Sequence, residues 1–250
     1  MKRRFALMLS GSSSAHAECR PWSLALVCLM ASMLCGTAQT TRYVTSHIDG
    51  DADALRGVID SADSGDIVKF AIDGIHELTS GDILVDKVLF IDGPGLNKVT
   101  IQGNNEGRLF DIGSKGDVSI RGVTLRNGRD EEGGAIRNLG RLEVRECRFL
   151  ENGTYGTNTG GGAILSMDGA LVIADCSFEA NSTLNSQFGY GGGLYLFENQ
   201  SAVVTNTTFE GNSAHIGGAI HVVDSSLTLD QSTITGNQTS VGQGVAIYSA

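Results

Sequence analysis

GGAILSMDGALVIADCSFEAN, residues 161–181, decides the fold of this chain. It opens on Gly161-Gly162-Ala163-Ile164 and closes on Phe178 followed, three positions later, by Asn181. The opening motif recurs as Gly133-Gly134-Ala135-Ile136, Gly192-Gly193-Leu194-Tyr195 and Gly217-Gly218-Ala219-Ile220. The closing motif recurs at Phe149 and Asn152, Phe209 and Asn212, and Ile234 and Asn237. A repeat of about 25 to 31 residues marks a solenoid, whose units bury their apolar faces only against their neighbours.

Working outward, five segments overlay. Val118, Leu142, Leu171, Ala202 and Leu227 form one column, and Ile120, Val144, Ile173, Val204 and Leu229 form the next, two residues on. Leu125, Phe149, Phe178, Phe209 and Ile234 form a third, with polar residues such as Ser119, Glu143 and Thr228 in between. Apolar–polar alternation over so few positions indicates half-buried strands. Because it recurs once per coil, equivalent strands must stack in parallel, which predicts an all-β parallel β-helix, a pectin-lyase-like solenoid. The general bias of parallel crossovers makes it right-handed. The asparagines suit corners because Asn tolerates left-handed backbone and bonds its own neighbours; stacked, their amides can form a ladder. Asn127 falls one residue early. The paired glycines suit a second corner where backbone approaches closely.

Residues 39–115 read as an N-terminal cap and first coils, and residues 116–250 as repeat coils. Leu55, Val58, Ile59 and Ala62 have helical spacing, ended by Gly65. This short helix is expected to cover the open first coil and blunt its edge. Ile67–Phe70, Ile83–Val85, Val88–Ile91 and Val99–Ile101 read as strands, separated in part by Gly93-Pro94-Gly95 and Gly103-Asn104-Asn105. The chain stops at Ala250 inside a coil, so further coils or a cap are expected beyond it.

Residues 1–38 have the form of a signal peptide. Lys2, Arg3, Arg4 and Arg20 precede an apolar run from Leu24 to Leu34, then the small residues Gly36-Thr37-Ala38. The run is too short to span a bilayer, so no membrane span is expected after cleavage. Leu34-Cys35 matches a lipidation site only loosely. Cleavage after Ala38 leaves 14 Lys and Arg against 27 Asp and Glu, a formal charge of −13. Seven arginines lie between Arg121 and Arg148, and none of the later residues is Lys or Arg. Such a surface repels nucleic acid and anionic lipid, and neither is an expected partner. Two prolines, 34 glycines and 41% apolar residues exclude a proline-rich linker and a disordered chain. Cys19, Cys28 and Cys35 fall in the leader. Cys147 and Cys176 occupy one slot of adjacent coils, shared with Val123, Thr207 and Ser232; stacking permits a disulfide without favouring it.

No residue is assigned as catalytic, metal-ligating or cofactor-binding, and no cofactor is expected. Arg137, Arg141 and Arg145, near Asp130-Glu131-Glu132, form the cluster that offers both signs, as a polysaccharide lyase requires. Arg137 aligns with Leu165, Leu196, His221 and Tyr248 in a mixed column that reads as solvent-facing. Inverting hydrolysis needs convergent carboxylates about 6.5 to 9.5 Å apart; Asp175 and Asp230 are out of register with each other and read as outward positions. Asp49-Gly50-Asp51-Ala52-Asp53, with Asp60, resembles a calcium loop, but Ala54 stands at the glycine position and Asp60 at that of the bidentate glutamate. The plainer reading is acidic residues favouring a helix N-terminus. His215 and His221 flank a glycine corner without a third ligand and read as surface residues. Five Asn-x-Ser/Thr sequons begin at Asn152, Asn181, Asn199, Asn206 and Asn237.

Gly-Gly-Ala-Ile alternating with Phe-x-x-Asn resembles the repeat of the polymorphic outer membrane proteins, which are bacterial surface β-helices. Leu55 to Ile112, including Ile91-Asp92-Gly93-Pro94-Gly95 and Thr100-Ile101-Gln102-Gly103-Asn104-Asn105, is similar to an N-terminal domain of exported β-helix proteins named for a Cys-Ser-Leu-Arg-Glu-Ala signature. Of that signature Leu55-Arg56 remain, within Asp53-Ala54-Leu55-Arg56-Gly57-Val58. That family carries a C-terminal membrane barrel, to which nothing here corresponds. The resemblance implies a secreted, cell-surface or outer-membrane β-helix, non-catalytic, with an adhesive or scaffold role towards a surface glycan or protein ligand. The alternative is a carbohydrate-active, lyase-like enzyme using the face around Arg137 and Arg141.

Overall fold

The computed structural model describes residues 39–186, 188–199 and 201–249. Residues 1–38, whose sequence has the form of a signal peptide, and their three cysteines lie outside the described residues. Residues 39–250 form one unit, a parallel β-solenoid with one short helix near its N-terminus.

Four parallel sheets run along it. The first has eight strands, among them Asp117–Arg121, Arg141–Arg145, Ala170–Ala174, Ser201–Thr205 and Leu227–Asp230. Their register aligns Val118, Leu142, Leu171, Ala202 and Leu227, and two residues on Ile120, Val144, Ile173, Val204 and Leu229. The second sheet carries the file Leu125, Phe149, Phe178, Phe209 and Ile234. Phe149 and Phe178 stack with ring centroids 4.5 Å apart and Phe178 and Phe209 with centroids 4.6 Å apart, nearly parallel. That spacing is the distance between hydrogen-bonded strands, so identical residues in register bring their side chains into contact. The third sheet follows the glycine corner and aligns Phe110, Ile136, Ile164, Leu194, Ile220 and Ile247.

Leu194 pairs with Ile164 and Ile220, so the third glycine motif is Gly191-Gly192-Gly193-Leu194, one residue earlier than its sequence suggests. Three consecutive glycines let the pair be placed in either register by eye. Gly193 takes the slot that Ala163 and Ala219 fill in the adjacent coils. The first glycine of each pair is left-handed, as at Gly161 with φ +69°. The second admits no side chain: a Cβ on Gly162 would lie 2.1 Å from the carbonyl oxygen of Gly192 in the next coil.

The asparagine ladder runs Asn152, Asn181, Asn212, Asn237. From Asn181 onward, each Oδ1 accepts from the preceding coil's Asn backbone N–H and Nδ2, as Asn181 does from Asn152 at 3.0 Å. Each Nδ2 also donates to the carbonyl of the Phe-file residue one coil back, Asn181 to Phe149 at 3.0 Å. The left-handed residue is not the asparagine but the one before it: Asn127, Glu151, Ala180, Gly211 and Gly236. Asn127 therefore belongs to that column, and the backbone N–H of Gly128 bonds the ladder at Asn152 Oδ1. A fourth sheet, unforeseen from the sequence, fills the span between the asparagine and glycine corners with Arg129–Asp130, Gly153–Gly156, Ser182–Ser186, Ser213–Ile216 and Gln238–Gln243, and with Thr159–Gly160 and Gly189–Tyr190 returning beside it.

At the N-terminal end, helix α1 (Leu55–Ser61) buries Leu55, Val58 and Ile59 in the same core as Val44 and Val68. No acidic residue lies in its first turn. Asp49 is instead a buried anchor: it accepts from Arg56 Nε at 2.9 Å and from the backbone N–H groups of Thr79 and Ser80. A carboxylate with its lone pairs so occupied is a structural clasp, and it sets aside both the calcium loop and the helix-dipole reading. Lys87 Nζ donates to the carbonyls of Ile59 and Ala62, satisfying the C-terminal turn of α1. Cys147 and Cys176 are free, buried thiols; burial raises both, Cys176 to about 12. Among the described residues, no helix is long and apolar enough to cross a membrane.

Candidate binding face on the third sheet

The outer surfaces of the sheets differ in chemistry. Outward residues of the second sheet are polar in nearly every coil: Arg148, Ser177, Thr208 and Thr233 in one column, and Glu179, Glu210 and Thr235 in the other. Outward residues of the third sheet change along its length. Its first outer column reads Leu84, Asp111, Arg137, Leu165, Tyr195, His221, Tyr248, and beside it lie Met167, Phe197 and Val223. Strand alternation places these residues away from the core, so their apolar character is not required by folding of the interior.

Arg137 is held, not free. Its guanidinium donates to both oxygens of Asp111, at 2.9 and 2.6 Å, and Glu132 lies 3.7 Å away. The side chain is half-buried, and its paired carboxylates raise its pKa further, led by the bond to Asp111. Arg141 lies on the first sheet beside Asp117, and Arg145 bonds Glu143 on that sheet. The three arginines of the sequence-level cluster thus fall on two faces and do not converge. Asp175 occupies a left-handed corner, where it accepts from Asn206, and Asp230 ends a strand one position out of register with it.

Further along, the column turns aromatic, and here the sequence alignment needs correction: Tyr195, not Leu196, stands between Leu165 and His221. Leu196 is buried inside. Tyr195 packs against Tyr190, Phe197 and His221, with centroids 5.7, 6.1 and 5.1 Å away. His221 also meets Tyr190 and Tyr248 edge-on. It is not a surface residue: the rings around it leave it 4% exposed. Burial lowers its pKa to about 4, so it is neutral near pH 7. His215 accepts or donates through Nδ1 to Ser240 Oγ at 2.7 Å. Among the described residues, no group of three His, Cys, Asp or Glu is placed to hold a metal ion.

The fourth sheet gives this face its relief. Its returning strand Thr159–Gly160 crosses the ring of Tyr195 so closely that a Cβ on Gly160 would sit 2.0 Å from it. The result is a groove of about 260 Å³ with Leu165, Met167, Tyr195 and Phe197 along the sheet, and Tyr190, Asn158 and Glu132 as its other walls. Mostly apolar concavities with a few polar groups are the usual form of a ligand site. Burial first, then Tyr190 and Glu132, push the Tyr195 hydroxyl up to about 12, so it remains protonated and able to donate. A larger cleft of about 350 Å³ at the corner between the third and first sheets is lined by Lys115, Arg141, Asp168 and several glycines, and Arg141 there is paired with Asp117.

Four of the five sequon asparagines, Asn152, Asn181, Asn199 and Asn237, are buried, three of them in the ladder; Asn206 is exposed. A search among curated proteins finds no match to the chain. Residues 73–250 match the family model described as the right handed beta helix region; that span is well over half the chain, and the chain belongs to the right-handed β-helix family.

Proposed function

We propose that this chain is an exported β-helix that holds a ligand without transforming it, in an adhesive or scaffold role at a bacterial cell surface, at the outer membrane or in the extracellular space. The observation that carries the reading is the outward aromatic face of the third sheet, which the core does not need and the fourth sheet shapes into a groove. The signal-peptide form of residues 1–38 supports export. The likeness to polymorphic outer membrane proteins supports surface display, and the retained Leu55-Arg56 of the N-terminal signature has a physical use: Leu55 seals the first coil and Arg56 grips Asp49. A surface glycan or protein ligand fits this reading, since aromatic side chains dominate recognition on otherwise polar surfaces.

The test pairs binding with turnover. The purified full-length chain is applied to a glycan array and to whole cells, and in parallel to acidic polysaccharides with and without calcium. Retention that Tyr195→Ala lowers tenfold or more, with no polysaccharide cleaved, is the expected result. Release of unsaturated uronides, abolished by Arg137→Ala or Arg141→Ala, overturns the proposal in favour of a lyase.

A further inference from the structure

The groove on the third sheet has a charge as well as a shape. Three rings, Tyr190, Tyr195 and Phe197, line it, each tilted against Tyr195 or beside it by 37° and 53°. Leu165 and Met167 complete the apolar lining, and Glu132 is its charged residue. Arg137, 3.7 Å from Glu132, also donates to both oxygens of Asp111, so these three side chains together keep one net negative charge. No Lys or Arg follows Arg148 in the sequence, so the coils that build the aromatic part contribute none. Tilted aromatic faces with one carboxylate at the edge attract a positive charge through the ring quadrupoles and through the carboxylate's own field. Glu132 repels an anion, and no Lys or Arg lines the groove to hold one.

We propose that the groove lined by Tyr190, Tyr195, Phe197, Leu165, Met167 and Glu132 is a binding site for a quaternary ammonium head group. Its methyl groups fit the apolar lining of Leu165, Met167 and the rings, where the N–H donors of a primary amine would find acceptors only at Glu132, Asn158 and the Tyr190 and Tyr195 hydroxyls. The diffuse charge of a quaternary ammonium also costs less to desolvate than a primary ammonium, and Glu132 lies at the rim, 44% exposed, where it neutralises the charge without being buried itself. This inference rests on the proposed binding role of the face and names the chemical group that the groove reads.

The probe is choline chloride, with sodium chloride at equal ionic strength as the blank and 3,3-dimethylbutan-1-ol, the neutral carbon isostere of choline, as the comparison. Saturation-transfer NMR and calorimetry on the full-length chain report binding. Choline is expected to bind saturably, at least tenfold tighter than the isostere. Glu132→Gln should narrow that gap, while Phe197→Leu and Tyr195→Leu should each weaken choline about tenfold, the fold-change of one desolvated cation–π contact. Tyr195→Phe, which keeps the ring and the packing, should retain binding; that guards against reading a misfolded variant as a lost contact. Equal affinity for choline and the isostere overturns the proposal, since the groove would then read apolar bulk alone. Glycan or cell binding lost with Tyr195→Ala, without choline binding, overturns it while leaving the adhesive role standing. Absence of all three kinds of binding removes both.

Discussion

At the scale of single residues, two positions per coil carry the geometry. Asn181 sits at the middle of a buried ladder and bonds both neighbours, with its Nδ2 reaching Asn212 at 2.9 Å as well. Asn181→Ala would remove the acceptor of the Asn152 backbone N–H and of one of its two Nδ2 hydrogens, and urea unfolding should show a loss of about 2–4 kcal/mol. Asn206→Ala, at an exposed left-handed corner with φ +46° where Nδ2 bonds Asp175, should cost about 1 kcal/mol, less than the ladder change. Gly162→Ala drives a methyl group into the next coil's backbone, and a loss of about 3 kcal/mol or more is expected in the same assay, because a carbonyl inside a stacked ladder cannot move aside alone. Which residues recur was legible in the sequence; which of them is strained was not. The left-handed position alternates among Asn, Glu, Ala and Gly, so its composition hides it, while the asparagine beside it is conspicuous for its amide.

At the scale of elements, the strands of the first three sheets follow from alternation, and the fourth sheet does not, because its segments differ in length and its register shifts between Gly153 and Tyr155 and between Ala214 and Ile216. The binding groove depends on that sheet, so the site was illegible even where its residues were in view. The triple glycine at 191–193 added a one-residue slip that placed Leu196 outside and missed Tyr195. His221, neutral and enclosed by rings, gives a pH prediction. Its folded pKa of about 4 lies below its ordinary 6.5, and burial, then the nearby His47, lowers His76 as well. The unfolded chain binds these protons first, so stability is full above about pH 6.5 and falls as pH drops towards 4. Thermal unfolding across pH 7.5 to 4 should show this slope, and His221→Phe should flatten it; an unchanged slope would place the titration elsewhere. Carboxylates held low by Arg partners, Asp66 by Arg42 foremost, lose their contribution only at lower pH.

At the scale of the whole molecule, each coil is stabilised by the coils on either side, and the ends are unlike. Helix α1 seals the first coil, whereas Leu227, Leu229 and Ile234 near the other end of the described residues are only half-buried and Val241, Val245 and Ile247 are exposed. Native-state hydrogen exchange should therefore be slowest in the coils of Phe149 and Phe178 and fastest beyond residue 224, as nearest-neighbour coupling requires. Phe178→Ala, which opens a cavity between two rings, should cost about 3–5 kcal/mol, more than the same change in the half-buried Ile234. All of these expectations depend on one side chain per coil standing above its equivalent. Ring-to-ring nuclear Overhauser effects in a phenylalanine-labelled sample test that directly: Phe149 should contact Phe178, Phe178 should contact Phe209, and Phe149 should not contact Phe209. Absence of the two neighbouring contacts, or a direct one between Phe149 and Phe209, would contradict the stacked coil.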